Sequence, residues 1–302
     1  MTAEPATHLR DLTPPGEDEL LVVVGPTASG KSELALALAE HFDGEVVGAD
    51  SVQIYRHFDI GSGKPGPEDR ARAPHHLVDV VEPLDAYDAA RFVADAEAAI
   101  ATIHARGKPA IVCGGTFLWV KALLFGLAQG PPRDEALRAQ HQAFAEAHGR
   151  PALHARLAEA DPASAARLAP NDLIRVSRAL EVLELTGRPQ SAWHADHQFK
   201  TQRFPQRLLG VARSRDEIDA RIAARAEAWL RQGWCDEVRG LVAAGYGEAR
   251  AMGSVGFRQV KAHLDGELTA DELLGAVVRA TRTFVRRQRT WLRDQPVTWL
   301  AP

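Results

Sequence analysis

Three groups of side chains in this sequence have the types and spacing to do chemistry. Gly25, Pro26, Thr27, Ala28, Ser29, Gly30, Lys31 and Ser32 form the run G-x-x-x-x-G-K-S. In such a run the glycines let backbone N–H groups face a phosphate chain, the lysine neutralises its charge and the last hydroxyl can ligate Mg²⁺. Asp50 is a carboxylate, able to accept a proton, and is followed at once by Ser51, Val52 and Gln53; Gly114-Gly115-Thr116 presents a hydroxyl behind two residues without Cβ. Near the C-terminus Arg279, Arg282, Arg286, Arg289 and Arg293 advance in steps of 3, 4, 3 and 4, with no acidic residue between Gly275 and Arg293. A one-signed arginine face of that length suits a polyanion, because the guanidinium fork matches phosphate. The loop alone says phosphates without saying whose: a nucleoside triphosphate and a diphosphate ester with a metal satisfy the same donors.

These groups need elements to position them. Leu20–Val24 is a continuous apolar, largely β-branched run, the pattern of a strand buried on both faces of a parallel sheet. Residues 32–42 follow the loop as an amphipathic helix whose positive dipole end completes the phosphate cradle. Residues 45–49 form a second strand that delivers Asp50 at its carboxyl end, the ligand side of a doubly wound sheet; an Asp there can also be no more than a helix cap. Residues 61–72 read as a flexible connection and 74–81 as a third strand, in which the neighbours His75 and His76 face opposite sides and cannot share a metal. Residues 87–104 are an amphipathic helix, and 110–113 a buried strand leading into the Gly-Gly-Thr turn. After a break at Gln129-Gly130-Pro131-Pro132, residues 134–193 are helix-rich and place Arg175 and Arg178 on one helical face. The next core strand is 207–212, after which Ser214-Arg215-Asp216 opens a helix. Arg215 is either a surface arginine or a group at the active end of the sheet.

The organisation is therefore an α/β fold, a P-loop NTPase-like parallel sheet flanked by helices with a small inserted helical domain. The core takes residues 18–130 and 200–302, the insertion 131–199, and residues 1–17 form a loose polar tail without the apolar segment of a signal peptide. The 302 residues carry 36 Lys+Arg against 40 Asp+Glu, so any nucleic-acid surface has to be local, like the arginine face. Cys113 and Cys235 lie far apart and imply neither a disulfide framework nor a metal site. No apolar run reaches membrane-spanning length, so the expected location is the cytoplasm, without membrane association, and nothing demands more than a monomer.

Taken in order, GPTASGKS (25–32), ADSVQIYR (49–56), PHHLVD (74–79), YDAARF (87–92), GGT (114–116), PNDLIRVSRALEVLELTGRP (170–189), VGFRQ (255–259) and TRTFVRRQRTWLR (281–293) resemble the tRNA dimethylallyltransferase family over nearly the whole chain. The Asp-Ser-x-Gln segment and the RRQRTWLR ending are the most specific members of the set.

The resemblance implies that the loop holds the diphosphate of dimethylallyl diphosphate with Mg²⁺, the metal on Ser32, and that the partner is a tRNA anticodon stem-loop. It implies transfer of the dimethylallyl group to N6 of the adenosine just 3′ of the anticodon (position 37) in tRNAs reading codons that begin with U. Asp50 matches the general base, Thr116 the hydroxyl orienting the amine and Arg215 the arginine closing on the diphosphate. Asp50, Ser51, Val52 and Gln53 match positions beside the target base. Arg138, with Ile174, Arg175, Val176, Ser177 and Arg178, then Gly256, Phe257 and Arg258, and Arg286, Arg287, Gln288, Arg289 and Arg293, match regions of tRNA contact. Ser32 stands where threonine is usual, Phe117 and Trp119 follow GGT where a smaller residue and a tyrosine are usual, and Ile174 replaces a glutamine. Without the resemblance, the loop and sheet also allow a P-loop kinase of a small molecule. A nucleotide-dependent RNA-binding switch would use the arginine face but leave Asp50 and Thr116 unexplained.

Overall fold

A computed structural model describes Leu9 and residues 11–128, 130–197, 199 and 201–302. Residues 1–8 and 10 of the expected tail, and Gln129 of the expected break, lie outside the described residues. The chain divides into two compact units, one made of Arg203–Pro302 with the residues up to Leu124, the other of Phe125–Gln202.

In the first unit β1 (Leu20–Val24), β2 (Glu45–Gly48), β3 (His75–His76), β4 (Ala110–Gly114), β5 (Gln206–Val211) and β6 (Val297–Leu300) form one parallel sheet in the order β3-β2-β4-β1-β5-β6. All of β1 and β4 is buried, as a central parallel strand covered on both faces has to be. Alternate residues Leu21, Val23, Ile111, Cys113, Leu209 and Val211 share one face and pack against Leu34 and Leu38 of α1 (Lys31–His41). Each fully buried aliphatic side chain contributes about 1.5–3 kcal/mol, so the phosphate loop is tethered at both ends to the most cohesive part of the molecule.

Three further helices precede the second unit: α2 (Pro67–Arg72), α3 (Ala89–His104) and α4 (Phe117–Phe125). In α3 the Asp88 carboxylate accepts from the amides of Ala90 and Arg91, both at 3.0 Å, and Phe92, Ala96, Ile100 and Ile103 form its buried stripe.

The strand expected over 74–81 is only two residues long. Leu77 (φ 57°) and Asp79 (φ 65°) adopt left-handed backbone that turns the chain off the sheet edge. Lys64 holds that turn, its buried ammonium 2.5 Å from Asp59 and 2.8 Å from Asp79. The two histidines serve the edge separately: His75 Nδ1 lies 2.8 Å from the Ala73 carbonyl and His76 Nε2 2.6 Å from Glu45.

The second unit contains α5 (Glu135–His148), α6 (Arg150–Ala160), α7 (Pro162–Ala165), α8 (Leu173–Thr186) and α9 (Gln190–His197). Aspartates start three of them: Asp134, Asp161 and Asp172 accept from the amides of Leu137, Ser164 and Arg175. Leu153, Leu157, Val176, Ala179 and Leu180 make its core.

The chain then returns through β5 to α10 (Arg215–Arg231), α11 (Trp234–Ala243), α12 (Phe257–Leu264) and the long α13 (Ala270–Leu292) before the edge strand β6. β6 has no counterpart in the sequence reading; four residues, VTWL, carry too little periodicity to announce a strand. No helix among the described residues is long and apolar enough to cross a membrane.

Candidate active site

The loop leaving β1 enters α1 through left-handed backbone. Ala28 takes left-handed backbone (φ 68°) and Gly30 (φ 100°) caps α1 without a side-chain bond. A non-glycine residue in that region stores strain of the kind found at ligand clamps. The amides of Gly30, Lys31 and Ser32 make no hydrogen bond to another group among the described residues. The Ser29 hydroxyl is buried without a partner among the described residues, and a Cβ at Gly25 would come within 2.5 Å of it. Several donors converge on one small space, at the positive end of a helix.

Arginines from beyond the inserted unit set the outer side of this loop. Arg213 Nε donates to the Ser29 carbonyl at 2.9 Å and Arg221 Nε to the Ala28 carbonyl at 2.8 Å. A planar trans peptide points C=O and N–H in opposite directions, so drawing the Ser29 carbonyl outward aims the Gly30 N–H inward. Four residues along α10 from Arg221, Arg225 stacks over Trp229 with its guanidinium 4.5 Å from the ring centre. Burial pushes Arg225 down to about 10, which leaves it charged at neutral pH, facing Glu33, Arg221 and Asp50. None of these three arginines stands out in the sequence; the local signal is the i, i+4 spacing of Arg221 and Arg225 just after a strand's carboxyl end. Arg215 is the first residue of α10, exposed and without an ion pair among the described residues.

Asp50 lies one residue beyond Ala49 at the carboxyl end of β2. Its Oδ1 accepts from the amides of Val52 (2.9 Å) and Gln53 (3.3 Å), while Oδ2 has no hydrogen bond among the described residues. Thr116 Oγ1 accepts from the Ser51 amide at 3.0 Å and donates to the Ser51 hydroxyl at 3.2 Å, fastening the Gly-Gly-Thr turn to the Asp50 segment. Gly114 permits this approach, since a Cβ there would collide with the Ala49 carbonyl. The Gln53 amide donates to the carbonyls of Ser62 (3.0 Å) and Gly63 (2.9 Å), and its own oxygen accepts no hydrogen bond among the described residues. That turn is held by Glu237, which accepts from the Ile60 amide at 2.6 Å and whose carboxyl burial pushes above its usual range.

The two sides meet at Gln288 of α13. Its Oε1 accepts from the Thr27 amide at 2.8 Å and its Nε2 donates to the Gly115 carbonyl at 3.1 Å. Lys31 reaches the same place, its ammonium 3.8 Å from where a Gly115 Cβ would stand.

Several residues read as RNA contacts are instead interior. Val176 and Phe257 are core, Gln288 is spent on the two loops, and Ser177 is buried with its hydroxyl 2.9 Å from His141 Nδ1. A buried group with its hydrogen bonds satisfied is unavailable to a ligand. Arg138 and Arg178 both turn inward to Glu181, whose side chain is fully buried, at 2.9 and 2.5 Å. Trp119 likewise packs on Phe92 (4.8 Å between centroids) inside the core, whereas Phe117 stacks on Trp291 of α13 at 4.2 Å. Ile174, Arg175, Arg258, Arg286, Arg287, Arg289 and Arg293 are exposed. Arg175 pairs with Asp172, and Arg282 leaves the arginine face to meet Asp219 at 3.4 Å. Arg289 and Arg293, with Arg213, Ser214 and Trp299, line a cavity of about 650 Å³ that opens beside Pro26.

Among the described residues no cluster of three or more His, Cys, Asp or Glu can hold a metal ion. The donor set fits a hard cation that keeps most of its water and takes its other ligands from a phosphate, with Ser32 as the protein hydroxyl at the mouth of the loop.

Comparison with known proteins gives one consistent likeness. A family model described as IPP transferase matches residues 53–295, and one described as isopentenyl transferase matches 18–73. A tRNA dimethylallyltransferase of Sorangium cellulosum (strain So ce56) is 67% identical over 290 residues, 96% of this chain and 92% of that protein. The full-length tRNA isopentenylpyrophosphate transferase of Bacillus halodurans aligns with a TM-score of 0.69 at 34% identity, covering 94% of this chain and 90% of that one. A eukaryotic dimethylallyltransferase captured acting on tRNA aligns with a TM-score of 0.79 at 25% identity, covering 94% and 74%.

Proposed function

This chain belongs to the IPP transferase family, and we propose that it transfers the dimethylallyl group of dimethylallyl diphosphate to N6 of adenosine 37, beside the tRNA anticodon. The observation that carries the reading is that one buried glutamine bonds both the phosphate loop and the Gly-Gly-Thr turn, and that Thr116 of this turn is fastened to the segment presenting an uncommitted Asp50 oxygen. The arginine face is unused by a small-molecule kinase, and the relatives are transferases, so the kinase alternative is set aside.

The amine nitrogen attacks the allylic carbon, the carbon–oxygen bond to the diphosphate breaks, and the N6 proton passes to Asp50 Oδ2 as the new bond forms. The amides of Gly30, Lys31 and Ser32, the Lys31 ammonium and Arg225 stabilise the charge that gathers on the leaving diphosphate. Arg215, free at the first turn of α10, closes on the same group. Ser32 would hold Mg²⁺, which would supply further neutralisation of the leaving group's charge. Thr116 orients the amine by way of Ser51, and Gln53 offers its carbonyl oxygen to the edge of an adenine flipped out of the anticodon loop. The inserted helical unit, with exposed Ile174 and Arg175, and the face formed by Arg286, Arg287, Arg289 and Arg293 grip the stem-loop. We place the enzyme in the cytoplasm, acting as a monomer.

The test incubates purified protein with Mg²⁺, dimethylallyl diphosphate and a tRNA bearing adenosine 37, then digests the RNA and looks for the prenylated nucleoside by mass. Product formed without ATP supports the reading. No product across several tRNAs, with ATP consumed in a parallel arm, refutes it.

A further inference from the structure

Gln288 is the only residue of the RRQRTWLR segment whose side chain is buried along with that of Leu292, yet it is polar, and both ends of its amide are committed to backbone groups of different loops. We propose that Gln288 is a positioning residue that couples RNA engagement on α13 to diphosphate binding at the phosphate loop; this rests on the transferase function proposed above.

The geometry gives the coupling a route. Arg287 and Arg289 flank Gln288 in sequence and are exposed, and neither has an ion-pair partner among the described residues. Successive residues of a helix project about 100° apart, so the two arginines straddle the glutamine, and a polyanion that draws on them moves the helix segment that carries it. One bond of the glutamine enters the loop that holds the leaving group, at the Thr27 amide; the other enters the turn that ends in Thr116, on the side of the reacting amine. Gln288 is 4% exposed, its bond to Gly115 is buried and its bond to Thr27 part-buried, so displacing the amide costs hydrogen bonds that the fold keeps. Gly115 belongs to the device as well: a Cβ there would stand 2.8 Å from Gln288 Nε2 and push it away. The side chain therefore has one arrangement that satisfies both loops. RNA that settles α13 in that arrangement settles the phosphate loop with it, and by thermodynamic reciprocity a bound diphosphate tightens RNA binding by the same factor.

The experiment measures the affinity of Mg²⁺-pyrophosphate by calorimetry with and without a saturating anticodon stem-loop RNA. No prenyl group is present, so the ratio of the two affinities is read apart from turnover. For the wild type the RNA is expected to tighten pyrophosphate by about fivefold or more. Gln288→Met keeps length and removes both hydrogen bonds; its ratio is expected to fall to about one. Gly115→Ala displaces the same amide from the other side without altering its chemistry and is expected to lower the ratio too, and it decides the matter if Gln288→Met does not give a native thermal melt. A wild-type ratio retained in a folded variant overturns the proposal. A wild type that makes prenyladenosine but shows a ratio of one also overturns it, whereas a wild type that makes none refutes the functional reading and leaves the ratio to be judged on its own.

Discussion

Replacing Asp50 by Asn and by Ala separates its chemical role from its structural one, because the two carboxylate oxygens are employed differently. Oδ1 accepts from Val52 and Gln53 while Oδ2 is uncommitted. Asparagine keeps one carbonyl oxygen to accept from both amides and loses only the proton acceptor. The turn that orients Gln53 survives, and the expected loss is that of a general base, about 10²–10⁴ in the rate of transfer, or about 3–5 kcal/mol in the barrier. Alanine loses the two hydrogen bonds in addition. At about 0.5–1.5 kcal/mol each, their removal loosens residues 51–53 and is expected to weaken RNA binding by about tenfold, where asparagine leaves it within about threefold. The assay is single-turnover prenyl transfer with saturating enzyme, paired with direct binding of pyrophosphate and of stem-loop RNA. Asp50→Asn that transfers at a rate near that of the wild type, with both ligands bound, would falsify the base assignment.

Other expectations follow from the same contacts. In the helical unit, burial alone raises the Glu181 carboxyl, but hydrogen bonds from Arg138, Arg178 and the Asp134 amide more than reverse this and hold it at about 2, against an ordinary 4.5. Because the folded value is depressed, the stabilisation is complete above pH 4.5 and is lost as the pH falls toward 2; the difference is worth about 3 kcal/mol. Glu181→Gln should lower stability to urea by about that amount at pH 7, with the gap shrinking by roughly half at pH 3; a gap independent of pH would refute this. Arg221→Ala frees the Ala28 carbonyl and should weaken pyrophosphate by about tenfold, read by calorimetry, and unchanged affinity would show that the loop holds its own shape. Burial pushes the Cys113 thiol up to about 12, so iodoacetamide at pH 8 should label it only on unfolding; rapid labelling of the native protein would contradict its place under α1.

The sequence by itself determined whatever is encoded within a few residues. The phosphate loop carries its glycines, lysine and hydroxyl in eight consecutive positions, the central strands announce themselves by uninterrupted apolar runs, and Asp88, Asp134 and Asp172 start their helices through bonds to amides two or three residues on. Asp50 was legible too, because a strand's carboxyl end is where a parallel sheet places ligands. Only the tertiary structure decided which polar residues face inward. Arg178 shares a helical face with Arg175 and looks like an RNA contact, and buried Glu181, three residues on, draws it and Arg138 of the neighbouring helix α5 inward. Gln288 sits within an arginine-rich run and is nevertheless core, since its partners stand 261 and 173 residues away. Arg213 and Arg221 reach the loop across 184 and 193 residues. Periodicity reports which residues share a face of an element. What that face meets is fixed by the packing of elements remote in the chain, and a hydrogen bond between them leaves no trace in the spacing of either partner.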